Sequence, residues 1–147
     1  MIDPRHIGRE LPPLTVDIEK GRLKFFAQAI GETNPVYFDE AAARAAGYRS
    51  LPAPPTYVFS IELEQPNPFG VYADLGVNLG RMLHGEQSFK YYAPICAGDR
   101  ITLKSRIADV YSKKNGALDF IVKETVATNQ DGVKVVEAKT VVVGRNA

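Results

Sequence analysis

The chain has 147 residues, 45% hydrophobic and 24% charged, with a formal net charge of +1. That composition fits one globular domain with enough apolar mass for a core. Scattered Lys and Arg argue against a nucleic-acid partner, and the single cysteine, Cys96, excludes an internal disulfide or a cysteine-based zinc site.

With only His6 and His84 as imidazoles, a histidine-rich metal site is not expected. No secretory leader and no membrane-length apolar run is read, so a cytoplasmic protein is expected.

Residues 1–13 read as irregular, and Leu14 to Val16 as a short border strand after Pro12-Pro13. From Ile18 to Ile30 the pattern is helical. Leu23, Phe26, Ala27 and Ile30 share one face, Asp17 stands at an N-cap position, and Gly31 stands where a left-handed cap ends a helix. A turn follows, Gly31-Glu32-Thr33-Asn34-Pro35-Val36-Tyr37. Asp39 then caps a second, alanine-rich helix that Gly47 ends.

Pro54-Pro55 reads as the start of a third helix running through Leu63, nearly apolar on three sides and therefore the most buried. Gln65 to Gly80 reads as a long loop with a short turn near Tyr72 to Leu75.

After Gly80 the period becomes that of strands. Arg81 to Tyr92 is one, and Gly98-Asp99 is a turn. Ile101, Leu103, Ser105 and Ile107 alternate with Thr102, Lys104 and Arg106. Asn115-Gly116 and Asp131-Gly132 are hairpin signals. They bound a strand whose residues Leu118, Phe120, Val122, Glu124 and Val126 share a face, and Val133 to Val143 is the last strand. Helices followed by an antiparallel meander make an α+β layer architecture. A curved antiparallel sheet around one central helix describes a single hotdog. No internal boundary is read, so residues 1–147 are expected to form one domain.

The turn, its flanking helices and the hairpins resemble the MaoC-like family of R-specific enoyl-CoA hydratases and 3-hydroxyacyl dehydratases. Catalytic members carry Gly-Asp-x-Asn-Pro-x-His between the first two helices. Here Gly31, Asn34 and Pro35 match, while Glu32 and Tyr37 stand at the two catalytic positions.

The resemblance implies an acyl thioester of coenzyme A or acyl carrier protein as substrate, with no other cofactor. It implies acid–base addition or removal of water by a paired Asp and His, worth about 10²–10⁴-fold per positioned group. It also implies an enolate whose charge a backbone N–H at a helix start receives.

Each requirement is altered in this chain. Glu32 reaches one methylene further than Asp, and a displacement of about 1 Å can cost 10²-fold. Tyr37 is a phenol, with an ordinary pKa of about 10, where an imidazole is matched to neutrality. Pro54 and Pro55 stand where catalytic members have His-Gly, and proline has no N–H.

The chain therefore resembles the non-catalytic partner type of the family, the N-terminal half of double-hotdog hydratases. Leu83-His84-Gly85-Glu86-Gln87 and Tyr91-Tyr92-Ala93-Pro94 carry that likeness. Glu32, Tyr37 and, more weakly, His84 are the candidate catalytic positions. Asn34, Pro35, Pro55, Thr56, Tyr57 and Phe59 are the candidate substrate contacts.

Tyr57, Phe59, Phe69 and Tyr72 read equally as core or as acyl-tunnel lining. Tyr37 reads more readily as a packed ring than as a catalyst. The expected assembly is a homo- or heterodimer of hotdogs, in which this chain binds the acyl tail and a hydro-lyase partner supplies the Asp and His. A homodimeric acyl-CoA binding module, and a weak hydratase or thioesterase using Glu32, are the alternatives.

Overall fold

The computed structural model describes residues 2–146. Strand β1 (Leu14–Asp17) leads into helix α1 (Lys20–Ala29), whose buried side carries Leu23 and Ala27. Ile30, expected on that face, is half exposed because the helix has already ended. Asp17 does not cap α1. It lies in β1 and its carboxylate accepts from Arg100 Nε at 2.8 Å, while Glu19 holds the cap position without a side-chain capping bond.

Gly31 does end the helix. At φ +74° its N–H reaches the Gln28 carbonyl, and the Glu32 N–H reaches that of Ala27 at 2.9 Å. These paired bonds satisfy two carbonyls the helix leaves open. Helix α2 (Glu40–Ala45) repeats the device with Gly47, and Asp39 caps its start through the Ala41 N–H.

The central helix, α3 (Tyr57–Ile61), begins three residues later than Pro54-Pro55 suggested. The prolines form the preceding turn, where the Tyr57 N–H meets the Pro54 carbonyl at 2.9 Å. Beyond Ile61 the helix tightens into a 3₁₀ turn, Glu62–Glu64. The segment expected to be a loop contains helix α4 (Gly70–Asp74), whose Tyr72 is buried with Leu75 and Val77 against Ile107, Val110, Ile121 and Val142. Its single turn is too short for a helical period to show between Pro68 and Gly76.

Strands β2 (Met82–Tyr91), β3 (Arg100–Lys113), β4 (Leu118–Thr128) and β5 (Lys134–Arg145) complete an antiparallel sheet of order β1-β3-β4-β5-β2. The sheet curves around α3. Tyr57, Val58 and Ile61 are buried against Leu103, Ala127 and Val136. This is the hotdog arrangement.

On β4 the residues facing the helix are Asp119, Ile121, Lys123, Thr125 and Ala127. The more apolar set Leu118, Phe120, Val122, Glu124 and Val126 does share a face, and it is the outer one. A bulge between Ile107 and Asp109 resets the alternation of β3, so that Val110 returns to the core.

Candidate functional site

The turn between α1 and α2 is fixed from within. Glu32 Oε1 accepts the backbone N–H of Thr33 at 2.8 Å and of Asn34 at 2.9 Å. Asn34 Oδ1 accepts the Val36 N–H and caps the 3₁₀ turn Pro35–Tyr37. Asn34 and Pro35 therefore build the turn, and both are exposed. Tyr37 is half-buried. Burial first, and then the neighbouring Glu32 carboxylate, hold its hydroxyl above the ordinary tyrosine range.

Tyr37 opens onto a cavity of about 340 Å³ between the turn, the start of α3 and the end of β2, with Tyr91, Pro54, Pro55 and Val58 on its walls. Tyr91 is pushed up to about 12 by burial and by Tyr37. Pro55 stands at this cavity. Tyr57 does not: it is 3% exposed and packs edge-on to Phe26, with ring centroids 5.2 Å apart. Val58 takes the wall position. Thr56 holds the exposed N-cap of α3 and carries the first backbone N–H after the two prolines.

His84 lies elsewhere. It is seven residues from Tyr91 on β2, about 20 Å along an extended strand. A bulge at Gly85 puts His84 and Gln87 on the same inner face, paired with Val142 and Thr140. Gly85 is needed there, since a Cβ would sit 2.9 Å from Val143 Cγ2 and 3.2 Å from the Val141 carbonyl oxygen. Gln87 Oε1 accepts the Thr140 hydroxyl at 2.9 Å and lies 3.2 Å from His84 Nε2. Phe59 meets the imidazole with centroids 4.9 Å apart. The structure therefore groups Glu32, Tyr37 and Pro55, and separately His84 with Phe59.

The polar residues that the sequence reading passed over are buried. Glu62, at the end of the central helix, accepts Lys123 Nζ at 2.6 Å and Thr125 Oγ1 at 2.9 Å. Burial alone would push the Lys123 ammonium down, but Tyr72 and Glu62 facing it hold it above its ordinary value. The pair borders a cavity of about 290 Å³ that Arg9, Gln65, Asn67 and Asp74 also line.

Asp99, read as a turn residue, is 2% exposed and accepts from the Cys96 N–H, Arg49 and Gln130. Both carboxylates interrupt apolar or turn patterns, and a period alone gives no sign of burial for them. A depression of about 860 Å³ lies along the charged outer rows Lys90, Lys104, Arg106, Glu124, Glu137 and Lys139, away from the turn.

Among the described residues, no group of three or more His, Cys, Asp or Glu could hold a metal ion. Nor is any helix long and apolar enough to cross a membrane. Residues 5–138 match the family described as FAS1-like, dehydratase domain region. The chain belongs to that family.

A UPF0336 protein of Streptomyces avermitilis is 38% identical to this family member over 148 residues, covering 99% of this chain and 97% of its own. The structure of the C-terminally truncated HadBC (3R-hydroxyacyl-ACP dehydratase) complex from Mycobacterium tuberculosis is similar at TM-score 0.82 and 28% identity, covering 95% of this chain and 97% of that one. The ChsH1–ChsH2 complex from the same organism shares the fold at TM-score 0.75 and 23% identity, covering 92% of this chain and 84% of that one.

Proposed function

We propose that this chain is the acyl-binding subunit of a two-hotdog 3-hydroxyacyl-thioester dehydratase or enoyl-CoA hydratase. A second hotdog supplies the Asp and His. The acyl group arrives on coenzyme A or acyl carrier protein at the seam between the two hotdogs, and its tail lies along α3.

The observation that carries this reading is the engagement of Glu32. One of its oxygens caps two amides of its own turn, and the residue facing it is a phenol rather than an imidazole. A phenol held above its ordinary range by burial neither takes nor gives a proton readily near neutrality. Likeness to a (3R)-hydroxyacyl-ACP dehydratase complex supports pairing of unlike chains.

The test mixes the purified chain with a hotdog protein carrying Gly-Asp-x-Asn-Pro-x-His and follows loss of the conjugated double bond of trans-2-octenoyl-CoA. Turnover by the mixture well above either protein alone, abolished by replacing the partner's Asp or His, is the expected result. A mixture no faster than the partner alone contradicts it. Tight acyl-CoA binding without turnover in either setting would instead identify a homodimeric binding module.

A further inference from the structure

Strand β2 borders the sheet and, among the described residues, pairs only with β5, so the full length of Met82–Tyr91 has one unpaired backbone edge there. A border of that length calls for cover, and the proposed second hotdog would provide it. When two such strands pair antiparallel about a two-fold axis, opposite ends of the strands meet. The His84 end of this chain then lies by the partner's counterpart of the Tyr91 end, where the partner's own turn opens.

We propose that His84 recognises the hydroxyl of a 3-hydroxyacyl thioester held at that seam, accepting its hydrogen bond on Nδ1. This rests on the two-hotdog reading above. The amide oxygen of Gln87 only accepts, and it already takes the Thr140 hydroxyl. The contact with His84 Nε2 at 3.2 Å therefore places the imidazole proton on Nε2. In the neutral ring Nδ1 is left as the single acceptor. It makes no hydrogen bond among the described residues.

Phe59 holds the plane of the ring, and the Gly85 bulge holds its face. An acceptor-only atom selects an O–H donor. It gives nothing to a thioester carbonyl or to a saturated chain. A site built to bond a substrate hydroxyl rejects the analogue that lacks it. Gln87 and Thr140 are positioning residues here, since they act only through the imidazole.

The test compares, by calorimetry, binding of (3R)-3-hydroxyoctanoyl-CoA and octanoyl-CoA to the complex of the full chain with a hotdog partner whose catalytic Asp is replaced by Asn. The variants are His84→Ala, Gln87→Leu and Gln87→Glu. Nitrogen-15 spectra of the imidazole, recorded in parallel, report its tautomer.

The wild-type chain is expected to prefer the hydroxylated ligand by about tenfold, the worth of one net hydrogen bond. The preference disappears in His84→Ala and Gln87→Leu. It returns in Gln87→Glu at a pH where the imidazole is neutral, since the carboxylate accepts the Nε2 proton, while octanoyl-CoA binds all four proteins alike. The spectra show the proton on Nε2.

Equal affinity for the two ligands in the wild type, a preference that survives His84→Ala, or a proton on Nδ1 overturns the proposal alone. Failure of either ligand to bind overturns the acyl-binding reading beneath it, and this proposal with it.

Discussion

The Glu32 carboxylate accepts the backbone N–H of Asn34 at 2.9 Å, two residues further along the same turn. The Gly-Asp-x-Asn-Pro-x-His pattern that this turn resembles has Asp at this position. Here Glu32 closes the loop that carries it.

Replacing Glu32 by Ala is therefore expected to cost stability, about 1 kcal/mol for the lost acceptor. Glu32→Gln keeps an amide oxygen and costs less. Urea unfolding measures both, and equal midpoints for wild type and Glu32→Ala would show that the cap contributes nothing.

The buried pair of Glu62 and Lys123 gives a sharper stability test. Lys123→Met leaves the Glu62 carboxylate without its counter-charge and should cost about 3–5 kcal/mol. Glu62→Leu combined with Lys123→Met removes both charges and should recover most of that loss. A double variant no more stable than Lys123→Met would contradict the pairing. The measurement is a double-mutant cycle in denaturant.

Gly85 permits no side chain without movement of Val143 or of the β5 backbone. Gly85→Ala is expected to destabilise the fold by about 1–3 kcal/mol, in the range for overpacking. An unchanged denaturation midpoint would mean that the bulge adapts.

Alkaline pH should expose Tyr91. Its folded value is raised to about 12, above the roughly 10 of an unfolded tyrosine. Its contribution to stability is fully present below about pH 10, because both states then hold the proton. As pH rises toward 12, the unfolded chain ionises first and the contribution is lost. Ultraviolet titration of wild type against Tyr91→Phe isolates this group, and a difference spectrum centred near pH 10 would contradict the raised value.

Much of this fold was legible in the sequence because its signals are local. Gly31 and Gly47 mark helix ends that only a left-handed residue closes this way, and Asn115-Gly116 and Asp131-Gly132 mark turns that fix strand pairing. The central helix announced itself by its apolar run, although Pro54-Pro55 pointed to a start three residues early. The turn they form leaves the same trace in sequence as a helix N-terminus.

What could not be read depended on distant partners. Lys123 and Thr125 look like the solvent side of a strand until Glu62 is placed beneath them. His84 and Gln87 sit three apart, an odd spacing that puts them on opposite faces of a regular strand. Only the bulge at Gly85, imposed by contact with β5, turns both inward. In the candidate site, the departures at Glu32 and Tyr37 were visible as residue types. That Glu32 bonds its own turn and that Tyr57 is core were not.

The most direct test is the turnover of trans-2-octenoyl-CoA by the purified chain alone, with binding of octanoyl-CoA measured on the same preparation. Binding without hydration is the predicted result, and Glu32→Gln should change neither. Substantial hydration by the chain alone, abolished in Glu32→Gln, would contradict the account.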